Sequence, residues 1–427
     1  MTAVRDNNAP SGPDPAPFLT RLRKGSLCAG CGACAALAPG HIAMEMAGPG
    51  FLRPRQTGPI TAAENARIAA VCPGLGQRVE AAGRRDDPLW GPLIGMVSGW
   101  ARDPALRFEG ASGGALSALL AHLLENREVR GVVQIAADPA DPVGNITVVS
   151  KTPEDVLRAA GSRYAPSAPL AHLPGGEGPF AFVGKPCDVA ALRAMQADDP
   201  ALKERFPVLV SFFCAGVPSR AGARKVVAAL GMAPDGIAAF RYRGRGWPGR
   251  ATATGSDGAE ASMSYFESWG KILSSHVQHR CKICADGTGK AADIVSADAW
   301  EADEKGYPLF EEQDGISLIV ARTATGQALL EAAEAAGRIA TAPFDEASLA
   351  AIQPGQSGRR RALLARLAGL LVMGRPVPRY RGLGLWAAAR TGSLRRQARD
   401  FLGMIRRVLT GRVSPEAGVQ HAPEAGR

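Results

Sequence analysis

Residues 94–136, IGMVSGWARDPALRFEGASGGALSALLAHLLENREVRGVVQIA, carry the pattern that decides the fold class. The run 94–100 is short and apolar, as a buried strand is; a helix is expected from Gly114; and 129–136 is again strand-like. The alternation continues with a helix around 153–160 and strands at 180–184, 208–213, 237–243, 293–297 and 316–321. Strands and helices mixed in this way predict an α/β body, with an α+β mixed sheet, over 91–345. Past Pro354-Gly355 the composition turns to Arg, Leu, Ala and Gly, and helices are expected at 359–373 and 394–409, making 346–427 a helical basic C-terminal region.

The chain's 427 residues allow two or three domains. Residues 1–20 read as a disordered leader without the apolar run of a secretory signal, and no stretch of about 18 uninterrupted apolar residues follows. A soluble cytoplasmic protein is therefore expected. In a reducing compartment the eight cysteines are better explained by metal binding or catalysis than by disulfides. The formal charge of +10 is unevenly spread: from residue 351 onward there are 15 arginines, no lysine and three acids (Asp400, Glu416, Glu424), whereas residues 1–350 have a net charge of −2.

A compact segment, 21–90, holds the first four cysteines. Cys28, Cys31 and Cys34 stand at two-residue intervals in a glycine-containing loop that can wrap three corners of a cuboidal cluster. In bacterial ferredoxins a fourth Cys followed by Pro comes three residues later and serves the neighbouring cluster. Ala38-Pro39 occupies that place here, and Cys72-Pro73 supplies a distant Cys-Pro. The expected set is a 4Fe-4S cluster on Cys28, Cys31, Cys34 and Cys72, a ferredoxin-like arrangement. Structural zinc also takes four thiolates, but usually as two separated pairs.

The other four cysteines are dispersed: Cys187 in VGKPCDVAALR, Cys214 in VSFFCAGVPS, and Cys281 and Cys284 in HRCKICADGTGKAADIVSADAW. Spacing alone makes only the pair suggestive, since lone cysteines after strands are often small core residues. Taken in order, however, G-x-P-C-x-x-x-A-L-R, a strand ending in F-C, and C-x-x-C before D-x-x-x-x-D-x-W (Asp293, Asp298, Trp300) resemble the coenzyme F420 hydrogenase/dehydrogenase beta-subunit family. Ala111-Ser112-Gly113-Gly114 and Gly161-Ser162-Arg163-Tyr164 match as well, so the resemblance spans about 95–300. It implies a second 4Fe-4S cluster on Cys187, Cys214, Cys281 and Cys284, an adjacent FAD, and Asp298 on the cofactor side.

Residues expected to meet the flavin follow. Ser112, Gly113 and Gly114 precede a helix whose first N–H groups suit a phosphate, although an ordinary helix start capped by serine looks the same. Gly161 permits close backbone approach, Arg163 offers a fork of donors for a pyrophosphate, and Ser162 and Tyr164 complete the loop. Lys185, two residues before Cys187, would lie near both redox centres and favour an anionic flavin. His276, three residues before His279, is a candidate proton donor if 265–279 is one helix.

Together these readings describe an iron-sulfur flavoprotein oxidoreductase. It would take electrons from ferredoxin or a similar acidic donor and pass them through two 4Fe-4S clusters to FAD, then to a small organic substrate of deazaflavin or pigment-like type. A non-catalytic relay subunit and a zinc-stabilised binding module are the alternatives. Arg395, Arg396, Arg399, Arg406 and Arg407 interleave with Leu394, Phe401, Met404, Ile405 and Leu409 as a basic amphipathic helix. That helix suits an acidic partner or peripheral membrane contact; no nucleic acid is expected.

Overall fold

The structure is a computed structural model that describes residues 14–416 except 177, 302, 304–308 and 310. Its centre is an eight-stranded mixed sheet, in spatial order Ile339–Pro343, Gly95–Ala101, Ser317–Ala321, Ile294–Asp298, Val208–Phe212, Phe180–Val183, Gly131–Ala137 and Asn145–Ser150. Four neighbouring strands, from Ile294–Asp298 to Gly131–Ala137, run parallel, and antiparallel strands flank them on both sides. Central strands such as FAFV at 180–183 are buried along their whole length, as strands covered on both faces are. The α/β class and the mixed sheet agree with the sequence reading.

Parallel strands place their loops together, and ligands in such sheets gather beyond the carboxyl ends. Here those ends deliver Lys185 and Cys187 after Phe180–Val183, Cys214 after Val208–Phe212, and Asp298 at the close of its own strand. Pro186 opens the helix Pro186–Asp198, where its missing N–H costs nothing. The first Asp of the D-x-x-x-x-D-x-W motif anchors the opposite, amino-terminal end of these strands. Buried Asp293 accepts hydrogen bonds from Leu209 N and Thr323 Oγ1, both at 2.8 Å, and pairs with Arg193 at 3.0 Å.

Beside the sheet lie an antiparallel hairpin, Ile42–Ala47 with Phe51–Gln56, and a three-stranded sheet of Ile237–Arg241, Arg250–Gly255 and Glu260–Ser264. The two ends of the chain share one apolar core: Phe18, Leu19, Leu22 and Leu27 pack with Leu363, Leu367, Leu370, Met404 and Val413. Strand Arg379–Arg381 pairs with Gly76–Arg78, so the arginine-rich C-terminal region is built onto the first cysteine segment.

Three local expectations change. The helix Pro17–Gly25 starts inside the stretch read as leader and buries Phe18 and Leu19, while 1–13 lie outside the described residues. Residues 265–279 are not one helix: a wide-turned helix, Phe266–Ile272, passes into a tight turn, Leu273–His276, and a separate short helix, His279–Lys282, follows. The C-terminal helix starts earlier than expected, at Pro354, and runs to Val372. Among the described residues no helix is long and apolar enough to cross a membrane.

Candidate functional site

The eight cysteines are all unpaired, and the fold gathers them into two groups. In the first, glycines 30 and 32 take positive φ and turn the loop, Cys34 rides the short helix Ala33–Leu37, and Cys72 ends the helix Ala62–Val71. Cys72 acts electrostatically on Cys28, Cys31 and Cys34. Burial pushes the Cys28 thiol up to about 11 against the pull of Arg53, and burial raises Cys31 and Cys34 well above the ordinary thiol value. In the second group, Cys187, Cys214, Cys281 and Cys284 line a single small cavity. Burial, then Cys281, pushes Cys214 up to about 12.

Such thiols stay neutral unless something supplies positive charge, and iron bound to the sulfurs does that. Among the described residues no three His, Cys, Asp or Glu side chains converge as ligands of one ion. Four cysteines lining one cavity are the donor set that a thiolate-held cluster takes.

The two groups touch. Ala29, in the first loop, lines the cavity of the second. Arg280 is 2% exposed, donates to Pro73 O at 2.6 Å, and acts electrostatically on Cys72 as well as on Cys281, Cys284 and Cys187. Gln278 bonds Ala29 O at 3.4 Å and accepts from Arg53 at 3.1 Å, and Arg53 is also paired with Glu416 at 2.8 Å. The C-terminal region closes over the second group. Arg359 donates to the carbonyls of Cys214 (2.8 Å) and Ala215 (3.0 Å), Arg360 to Ala285 (2.9 Å), Arg366 to Lys282 (3.0 Å), and Tyr380 to Ile283 (2.7 Å).

Beyond Cys214 opens a cleft of about 270 Å³. Cys214, Gly216 and Val217 line both the cleft and the four-cysteine cavity. Ser112, Gly114, Gly161, Ser162, Arg163, Tyr164, Lys185 and Asp298, all singled out in the sequence, line the cleft. The helix Ala115–Glu125 begins there without a side-chain cap: Ser112 Oγ instead donates to Ala297 O at 3.0 Å. Its first N–H groups therefore lie at the cleft wall with no serine over them, which suits an anion. Gly113 and Gly114 both take positive φ, and a Cβ on Gly114 would sit 2.3 Å from Leu106 O.

Arg163 is not the open fork that its sequence context suggested. Its guanidinium donates to Asn145 Oδ1, Phe240 O, Pro142 O and Gly144 O, holding the loop that carries Tyr164. Asp298 is likewise engaged within the chain: Arg243 grips it with two hydrogen bonds (2.9 and 2.6 Å) and Trp247 Nε1 donates at 2.8 Å. Arg243 is buried and stacks over Tyr265 and Trp300, whose ring lies parallel to Trp247 at 4.8 Å. Lys185 bonds Ser167 (2.7 Å) and pairs with Asp188 (2.7 Å). Burial works against its charge, but Asp188 and then Cys187 outweigh burial and hold the pKa above the ordinary lysine value.

His276 is not brought to either cavity: it packs on Gly222, and its Nδ1 lies 3.4 Å from Ser219 Oγ. Sequence reading missed Arg53, Arg243, Arg280, Arg359 and Tyr380. Of these only Arg359 carried a local signal, the run Arg359-Arg360-Arg361.

Residues 96–173 match the family model for the N-terminal part of the coenzyme F420 hydrogenase/dehydrogenase beta subunit, and residues 179–347 match the model for its C-terminal part, together more than half of the chain. The chain belongs to the coenzyme F420 hydrogenase/dehydrogenase beta-subunit family. The family is one of oxidoreductase subunits, which assigns this member a redox role. This beta-subunit family member is 27% identical over 269 residues to coenzyme F420 hydrogenase subunit beta of Methanococcus voltae, covering 61% of the present chain and 86% of that one. It is 26% identical over 244 residues to coenzyme F420-dependent sulfite reductase of Methanocaldococcus jannaschii, a match that spans 53% of the present chain and 35% of that one. A chain of the xenon-derivatised F420-reducing NiFe hydrogenase complex from Methanosarcina barkeri shares the fold, with a TM-score of 0.51 at 20% identity over 78% of this chain and 99% of that one. The first cysteine group and everything after residue 347 lie outside the family matches.

Proposed function

We propose that this family member is an iron-sulfur flavoprotein oxidoreductase in which electrons cross two 4Fe-4S clusters to FAD and leave to an organic acceptor. The observation that carries the reading is the order of contact: Ala29 of the first cysteine loop lines the second group's cavity, and Cys214 of that group lines the cleft. When bound, the clusters would supply one-electron steps and the flavin would gather two electrons for the acceptor.

The chain's own groups have definable tasks in this scheme. Cys28, Cys31, Cys34 and Cys72 hold the outer, ferredoxin-like centre, and Cys187, Cys214, Cys281 and Cys284 the inner one. The start of helix 115–125 receives a phosphate of the dinucleotide by backbone N–H. Lys185, kept cationic beside Cys187 and in the cleft wall, favours negative charge on a flavin ring there. Tyr164, Tyr265, Trp269 and Trp300 form aromatic walls that keep water from the ring system. The proposed donor is ferredoxin or a similar acidic carrier, the acceptor a deazaflavin or pigment-like molecule, and the setting the reducing cytoplasm, where cysteines persist as thiols.

Anaerobic purification with iron, sulfide and FAD determination tests this. About eight irons and one FAD per chain are expected, with Cys31→Ser and Cys284→Ser each removing about half the iron. A colourless protein holding zinc and no flavin would overturn the assignment. The relatives named as a hydrogenase subunit and as part of a hydrogenase complex support a second reading, a relay role within a larger assembly; flavin present without turnover of any deazaflavin, together with a copurifying partner chain, would select it.

A further inference from the structure

The arginine-rich C-terminal region has an inner side that holds the cysteine loops and an outer side that nothing in the redox scheme uses. Among the described residues, six of the eleven exposed large apolar side chains lie there: Leu371, Val372, Trp386, Leu394, Leu402 and Leu409, each 59–87% exposed. The other five, spread over the rest of the molecule, are 36–56% exposed. Scattered single exposures are ordinary, but this concentration of the most exposed ones is not.

The apolar groups sit among cations. On the helix Leu394–Leu409, Arg395, Arg399, Leu402 and Arg406 recur at intervals of four, three and four and form one outward stripe, while Met404 faces inward. Between residues 375 and 416 every exposed charged side chain is an arginine. The two acids there are taken up inside: Asp400 by Arg366 at 3.1 Å and Glu416 by Arg53 at 2.8 Å.

Neighbouring elements carry further exposed apolar side chains. Gly358 lies by Arg396 and Gly369 by Phe401 and Met404, so helices 354–372 and 394–409 run side by side in the same direction. Leu371 and Val372 therefore emerge level with the last turns of the second helix. Trp386 stands on the short helix Leu385–Arg390, which is tied to the second helix where Gln397 donates to Ala389 O at 3.1 Å.

We infer that this outer side rests on an anionic lipid surface, with the arginines at headgroup level and Leu394, Leu402, Leu409 and Trp386 dipping into the acyl boundary. Lipid satisfies both features at once, because the headgroup layer takes the charge and the region beneath takes the apolar side chains. An acidic protein surface would answer the arginines and leave the leucines against polar groups. With no described helix able to span a bilayer, the attachment is peripheral.

The test uses the full-length protein, purified anaerobically, with vesicles of phosphatidylcholine alone or mixed with phosphatidylglycerol. Co-sedimentation is expected only with phosphatidylglycerol present, accompanied by a blue shift of tryptophan emission that is reduced in Trp386→Phe. Arg395→Gln/Arg399→Gln/Arg406→Gln should weaken partitioning roughly a hundredfold, at about 1 kcal/mol per cation. Leu402→Ser/Leu409→Ser should weaken it at least about tenfold, from the lost burial of two leucines. All these positions are exposed, and unchanged thermal melts will show that the variants fold. The inference is overturned if mixed vesicles do not bind, if the leucine variant binds as well as wild type, or if the triple-arginine variant loses an acidic ferredoxin but no lipid.

Discussion

Arg280 joins the two cysteine loops: its Nη2 donates to the carbonyl of Pro73 at 2.6 Å, one residue past Cys72, while its own backbone leads directly into Cys281. A single buried cation thus stands beside thiols of both groups.

Replacing it with methionine, Arg280→Met, leaves the buried Pro73 carbonyl without its donor and should cost about 1–3 kcal/mol in urea denaturation. If both groups hold clusters, loss of the cation also disfavours the more negative, reduced state. Potentiometric titrations followed by EPR should then show both midpoints moving to more negative values. A purely structural role would lower stability and leave the midpoints unmoved.

Arg243 and the Asp298 it grips both line the cleft. Asp298→Ala strands a guanidinium that is 2% exposed and should destabilise the protein by about 3–5 kcal/mol. Arg243→Met combined with Asp298→Ala should recover part of that loss, because no charge is then left buried alone; a double-mutant cycle in urea measures the recovery.

Two glycine substitutions should move stability in opposite directions. Gly114→Ala puts a methyl 2.3 Å from Leu106 O on left-handed backbone, so its cost should exceed the roughly 1–2 kcal/mol of that backbone conformation alone. If the cleft holds the proposed FAD, its content should fall with it. Gly403→Ala lies inside helix 394–409, where the added methyl meets nothing within 4 Å, and should stabilise by about 0.5–1 kcal/mol. Thermal melts and the flavin absorbance of both variants decide the matter.

Arg359 carries the closing contacts over the second cysteine group. With the two proposed clusters in place, Arg359→Ala should leave the chain folded but let a ferrous chelator remove iron faster than from wild type, with the excess confined to about half of the total. Equal rates in both proteins would show that the guanidinium does not shield the site.

Much of the sheet was legible in the sequence because its central strands are short apolar runs: 208–213 and 180–184 were expected within a residue of where they lie. The hairpin at 42–56 and the strand Glu260–Ser264 were not, since stretches such as EASMS carry no β-branched run and form only against their neighbours. The cleft residues were legible as loops, but their partners were not. Arg163 advertises donors without showing that Asn145 and Phe240 already occupy them. Arg243 and Arg280 find their acceptors 55 and 207 residues away, a distance over which local pattern carries no information. The condition attached to His276, one helix over 265–279, is not met because its middle is taken by a wide turn and then a tight one, which periodicity does not distinguish from regular helix.

The position of the clasp in the chain sets an order of assembly. All eight cysteines lie between residues 28 and 284, and the groups that close over the second four, Arg359, Arg360, Arg366 and Tyr380, come later. On a ribosome that adds residues from the N-terminus, each of those four thiols emerges while its cover is still unmade. If the second group holds the cluster proposed above, that cluster would be delivered to an open nascent site, and completion of the C-terminal helices would then seal it. A chain truncated before residue 359 would keep the full set of thiols and lose the contacts that cover the second group.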